Sequence, residues 1–201
     1  MEKKAEISYL VFTITTLICV ALAFFIGVNV PQDNCQEIKQ VLYFESLEIE
    51  IADQVTDIYD YYSLASNSYD YSDYTNVIFY CEKSRSLSTS YSQKLRTIKA
   101  EYPSEPIEIL RIRKQMIETE IEYLFALYQS CEYLESASRA YSNYDYQMGD
   151  VNIEGQNEQI TIHDSKVEEY YNLEARYQRL KREMIEWYKK YYSGLRAKTF
   201  G

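Results

Sequence analysis

The sequence predicts an all-α protein in which one N-terminal transmembrane helix is followed by an antiparallel four-helix bundle or coiled-coil domain. Three observations carry that prediction. Residues 7–30 form an apolar run without a single charge. Four later stretches repeat apolar residues at spacings of three and four, the period of one helix face. Only five Gly and three Pro occur in 201 residues, which leaves little material for a loop-rich or phosphate-cradling architecture. The length suits one domain plus an anchor, here 1–30 and 31–201.

The run ISYLVFTITTLICVALAFFIGVNV is long enough to cross about 30 Å of hydrocarbon at about 1.5 Å per residue. The hydroxyls of Ser8, Thr13, Thr15 and Thr16 can bond back to helix carbonyls. An uncleaved signal anchor is the favoured reading. A cleaved signal with Ala21-Leu22-Ala23 as its small-residue site competes with it, but Phe24, Phe25 and Ile26 carry the apolar run past that site. A leader cut after Lys3-Lys4-Ala5 is the third reading, and it normally precedes a β-rich head. Lys3 and Lys4 flank one side of the span, and Asp33, Glu37 and a lone Lys39 the other. The positive-inside rule then places the N-terminus in the cytoplasm and 31–201 outside, as a single-pass cell-membrane protein.

Four amphipathic helices are expected after the anchor. The first, about 35–64, follows Pro31 with Asp33 or Asn34 as cap and carries Ile38, Val41, Phe44, Leu47, Ile51, Val55, Ile58 and Tyr62 on one face. The stretch SNSYDYSD breaks the pattern. The second, about 72–102, opens at Ser72 or Asp73. Its residues Tyr74, Val77, Cys81, Ser84, Ser88, Tyr91, Leu95, Ile98 and Tyr102 keep a strict coiled-coil alternation, with a bulky partner expected opposite the two serines. Pro103 ends it and Ser104 caps the third, about 105–144, whose face is Ile107, Leu110, Ile117, Ile121, Leu124, Tyr128 and Cys131. Residues 145–163 hold Gly149 and Gly155 with alternating Val151/Ile153 and Ile160/Ile162, so a small β-hairpin and a plain loop both fit. The fourth helix, about 164–197, carries Val167, Tyr170, Leu173, Tyr177, Leu180, Met184, Trp187 and Tyr191. Together they read as an up-down bundle about 45 Å long, with a more open, dimerising coiled coil as the alternative.

The net charge of −10 falls entirely after residue 30, since Glu2 and Glu6 offset Lys3 and Lys4. An acidic body disfavours nucleic acid, which rewards clustered Lys and Arg. The only histidine, His163, falls in the expected loop, which argues against a multi-histidine metal site. Motifs of the CxxC, GxGxxG, P-loop, GxSxG and HExxH types are missing from the sequence. Glu118 and Glu122 lie one helical turn apart, beside Lys114, and read as a solvated face. The expectation is a non-enzymatic protein without cofactor or metal.

Three groups of residues stand out. Cys81 and Cys131 both fall on apolar faces of neighbouring helices. If the hairpin turns at about position 104.5, they miss being level by about 4.5 Å of helical rise, within reach of a bridge outside the cell; two buried free thiols are the alternative. Cys35 is a candidate for linking two chains into a homo-oligomer. Tyrosine, with 23 residues, is the compositional outlier, and Tyr-Asp-Tyr occurs three times, as Tyr59-Asp60-Tyr61, Tyr69-Asp70-Tyr71 and Tyr144-Asp145-Tyr146. At helix ends these would gather at one membrane-distal, acidic tip suited to a protein or glycan partner. Finally, acids between 33 and 63 can pair with bases between 176 and 198 near the membrane, where Trp187, Lys189, Lys190, Arg196 and Lys198 would meet lipid headgroups.

The start MEKKAEISYLVF, the Leu/Ile-patterned helix and the two Cys-Glu steps, Cys81-Glu82 and Cys131-Glu132, resemble a group of uncharacterised archaeal single-pass membrane proteins with a helical, Cys-bearing extracytoplasmic region. The resemblance covers about residues 1–135 and implies a membrane-tethered helical module. Some of that group continue into a thioredoxin-like domain; this chain instead adds a fourth helix and has no CxxC. The layout also looks like the four-helix ligand-binding domains of bacterial chemoreceptors, but the end KKYYSGLRAKTFG cannot form the second span such receptors use. The function expected is a membrane-tethered binding or scaffold module. The alternatives are a subunit of a larger membrane complex, with Thr13, Thr15, Thr16 or Cys19 facing a neighbouring helix, and a redox-related accessory protein using its cysteines.

Overall fold

The computed structural model describes residues 32–104 and 106–199, with side chains described between 36 and 190. The expected anchor at 1–30, Cys19, Cys35 and the side chains of Arg196 and Lys198 lie outside the described residues. Among those described, no helix is long and apolar enough to cross a membrane. The chain divides into two compact units, Met1–Gln40 and Val41–Gly201. The hydrophobic core lies in the second.

Every regular element among the described residues is a helix. They are α1 (Gln32–Ile49), α2 (Asp53–Asp70), α3 (Tyr74–Glu101), α4 (Glu108–Ser142) and α5 (Tyr146–Thr199). Successive long helices pack antiparallel, α2 on α3, α3 on α4 and α4 on α5. The expected first helix is thus split in two and runs on to Asp70. At the joint the amides of Ile51 and Ala52 bond to the carbonyls of Glu48 and Ile49, three residues back, and Ala52 keeps right-handed helical angles. The joint is therefore a tightened turn of the 3₁₀ kind rather than a reversal.

The alternation expected for α3 is observed: Val77, Cys81, Ser84, Ser88, Tyr91, Leu95 and Ile98 are buried, as is Tyr102 just beyond its end. One detail differs. Ser84 Oγ donates to the carbonyl oxygen of Ile58 at 3.0 Å, so the α2 backbone itself closes on α3 at this layer. Small residues permit that approach, with Ala65 from α2 and Ser130, Ala137 and Ser138 from α4 all buried in this half.

The second difference is larger. Residues 146–163 are neither hairpin nor loop but the first third of α5, a helix of 54 residues, or about 80 Å. The strand-like alternation misleads because only one member of each pair is used. Ile153 and Ile160, two helical turns apart, pack against the core, while Val151 and Ile162 are exposed. The two glycines serve close approach. A Cβ on Gly149 would lie 2.6 Å from the Tyr141 ring, and one on Gly155 would lie 2.6 Å from the Tyr133 ring. A helix bearing glycine at those points lets two α4 rings come close to its backbone, which offsets the lost helix propensity.

Two turns close the same end of the bundle with one design. Among the described residues, Ser72 (φ 58°) and Tyr144 (φ 62°) are the non-glycine residues at positive φ. The amide of Asp73 bonds back to Ser68 O at 2.9 Å, and that of Asp145 to Ala140 O at 3.0 Å, a Schellman-type closure in each case. Each aspartate then accepts from an amide of the next helix, Asp73 from Asn76 and Asp145 from Met148. The pattern Tyr-x-x-x-Asp-Tyr, as Tyr69 to Tyr74 and Tyr141 to Tyr146, is thus a structural repeat that joins two helical hairpins.

Candidate functional site: a tyrosine tip above a polar core

At that end the repeat brings four rings together. Centroids are 6.1 Å apart for Tyr69 and Tyr74, 6.1 Å for Tyr141 and Tyr146, 6.2 Å for Tyr69 and Tyr141, and 6.0 Å for the stacked pair Tyr74 and Tyr141. Tyr141 is pinned further by its hydroxyl, which donates to Asp150 Oδ1 at 2.6 Å. The aspartate acceptor holds the Tyr141 phenol above the usual range, and crowding by Tyr69 adds to this. Around this ordered floor stand rings that the fold leaves in water: Tyr71 is 85% exposed, Tyr144 79% and Tyr146 60%. Asp70, Asp73, Asp145 and Asp150 are exposed among them.

Two of the three Tyr-Asp-Tyr triplets therefore sit at the tip, Tyr69-Asp70-Tyr71 closing α2 and Tyr144-Asp145-Tyr146 leading into α5. Tyr59-Asp60-Tyr61 does not, because α2 continues to Asp70, about two and a half turns beyond it. Tyr59 turns inward and its hydroxyl meets His163 Nε2 at 2.8 Å; Asp60 is exposed on the flank, and Tyr61 stacks on Tyr80.

Below the tip, polar side chains run down the core. Tyr62 Oη bonds to Ser130 Oγ at 2.9 Å and accepts from Gln156 Nε2 at 3.0 Å. Next, buried Glu120 Oε1 accepts from both Tyr91 and Tyr123 hydroxyls at 3.0 Å. Burial raises the Glu120 carboxyl pKa, and the two phenol donors only partly offset it. His163, expected in a loop, is buried in α5 edge-on to Tyr59 and Tyr123, with Nδ1 2.9 Å from Asp164. At the far end Glu48 accepts from Arg113 and from the Tyr102 hydroxyl, with the closest Arg113–Glu48 contact 2.5 Å. Glu45 Oε1 there takes Tyr177 Oη at 2.7 Å and Lys181 Nζ at 2.6 Å.

The expected pairing of early acids with late bases is realised at Glu45 and Lys181, whereas Glu48 chooses Arg113 of α4 and Arg176 chooses Glu108. Arg113 and Glu120 are the residues that sequence reasoning missed. Leu110, Arg113, Ile117, Glu120, Leu124, Leu127 and Cys131 keep a strict alternation of three and four, and a spacing that runs through charged residues is the signal that could have found them. Glu118 and Glu122 have separate lysines, Lys99 at 2.9 Å and Lys166 at 2.8 Å.

Cys81 and Cys131 are both fully buried in one small cluster with Ala65, Val77 and Leu134, as free cysteines rather than the expected disulfide. Trp187, Lys189 and Lys190 are exposed on α5. Among the described residues no group of three or more His, Cys, Asp or Glu is placed to hold a metal. In comparison with known proteins, the chain matches no family model, no curated protein and no solved structure.

Proposed function

We propose that this chain is a non-enzymatic, membrane-tethered helical module that presents its acidic tyrosine tip to a protein partner with a cationic surface. The observation that carries the reading is the pairing of an ordered aromatic floor with exposed rings. Tyr69, Tyr74 and Tyr141 are fixed by mutual contact, while Tyr71, Tyr144 and Tyr146 stand in water between exposed aspartates. Tyrosine gives a large amphipathic contact at low entropic cost, and a rigid base lowers that cost further. The aspartates favour an arginine- or lysine-bearing surface and would speed its approach. The tip also lies at the end of the second unit opposite Val41, which suits a domain held at its base.

The test replaces Tyr71 and Tyr144 together by Ser in the full chain, in native membranes. Crosslinked partner should fall at least tenfold while the melting temperature stays unchanged. Undiminished crosslinking would reject the tip, and a collapsed melting temperature would mean that the rings are structural.

A second reading, a subunit of a larger membrane complex, is favoured by the half-exposed flank rings Phe79 and Phe125. Gentle solubilisation separates the two: an obligate subunit keeps stoichiometric partners when the tip is changed, and a tip-binding module does not.

A further inference from the structure

We propose that Cys81 and Cys131 are a dithiol–disulfide site, oxidised before the upper core closes and sealed there as a lock between α3 and α4. This inference is independent of what the tip binds. The geometry rests on three observations. The cysteines come from adjacent antiparallel helices and are both fully buried. They share one small core cluster with Ala65, Val77 and Leu134, where both are free thiols. Ala65 shares their cluster, and the small residues Ser84, Ser130 and Ala137 are also buried.

Exchange takes place with the upper core open, and the electron count is the same whichever sulfur attacks first. The oxidant is an organic disulfide, either a small molecule or a protein. With Cys131 first, its thiolate attacks one donor sulfur, the donor S–S bond breaks, and one donor thiolate leaves. The Cys81 thiolate then attacks Cys131 Sγ, the mixed disulfide breaks, and the second donor thiolate leaves. The two cysteine protons end on the two donor thiolates; the chain loses two electrons and the donor gains two.

Full burial sets the kinetics. Neither a donor nor a reductant can reach the sulfurs in the folded bundle, so exchange in either direction must wait for the upper core to open. A surface redox sensor would behave oppositely.

The test uses the full chain purified from native membranes, denatured in alkylating reagent without reductant and digested for mass spectrometry. The peptides bearing Cys81 and Cys131 should be recovered crosslinked; recovery of both as alkylated thiols would overturn the assignment. In Cys81→Ser, Cys131 should become alkylatable, and in Cys131→Ser, Cys81 should. This readout is taken in denaturant and does not depend on the variant folding. Dithiothreitol should reduce the native bridge at least a hundredfold more slowly than the denatured one. Equal rates would overturn the sealed lock.

Discussion

Tyr69 and Tyr141 occupy equivalent places in two helical hairpins and meet at the end of the bundle with ring centroids 6.2 Å apart. Each precedes a turn with one left-handed residue, Ser72 or Tyr144, and an aspartate that caps the next helix, Asp73 or Asp145. The tip is therefore built from two copies of one device, and its stability should depend on both. Asp73→Ala and Asp145→Ala should each lower stability by about 1 kcal/mol, the usual worth of an N-cap. Chemical denaturation of the single variants checks this. Because Asp145 sits beside the pinned Tyr141, its loss should also loosen the ring stack, visible as increased tyrosine quenching by acrylamide.

The two glycines of α5 make a sharper comparison. Both would place a Cβ 2.6 Å from a tyrosine ring. Tyr133 is partly exposed and can swing outward, so Gly155→Ala should be close to neutral, the gain in helix propensity of about 1 kcal/mol offsetting the shift. Tyr141 is held by Tyr69, Tyr74 and Asp150, contacts it would lose by swinging away. Gly149→Ala should therefore destabilise by about 1–2 kcal/mol despite the same propensity gain. Melting curves of the two variants side by side decide it.

Much of this was legible in the sequence. The α3 seam follows directly from spacing, and Pro103 and Asp73 mark where helices stop and start. The exposed tip residues Tyr71, Tyr144 and Tyr146 are where the turn chemistry placed them. What misled was local. The glycines and the Val151/Ile153 alternation imitate a turn and strands, and only packing against Tyr133 and Tyr141 shows why a helix tolerates them. Composition hid the polar core, since Arg113 and Glu120 sit on a seam that apolar pattern-matching skips. The Tyr-Asp-Tyr count was the wrong repeat; the spacing that the turns obey is Tyr-x-x-x-Asp-Tyr.

Glu120 should leave a mark on the pH dependence of stability. Its native pKa is raised above the ordinary 4.5 by burial. As pH falls, the folded state takes up this proton before the unfolded one, so the contribution of Glu120 to stability improves through the native pKa and levels off below 4.5. Glu120→Gln keeps an acceptor for Tyr91 and Tyr123 and removes the charge. The variant should be at least as stable as the native chain at pH 7 to 8, with the gap closing as pH approaches 4.5. A variant that is less stable at neutral pH, with a gap that widens in acid, would contradict this.

The Glu48–Arg113 pair at the other end should behave asymmetrically. Arg113→Ala strands a largely buried carboxylate and should cost about 3–5 kcal/mol. The double change Glu48→Gln with Arg113→Met removes both charges and should recover most of that loss. A double-mutant cycle in urea measures both.

Whether the tip is the binding surface is tested most directly by site-specific photo-crosslinking in native membranes, with the reactive side chain placed in turn at Tyr71, at Tyr144 and at the flank residue Phe125. One partner band is expected from both tip positions, weakened by raised salt because the aspartates contribute to the contact, and no such band from Phe125. A band from Phe125 with none from either tip position would contradict a binding tip.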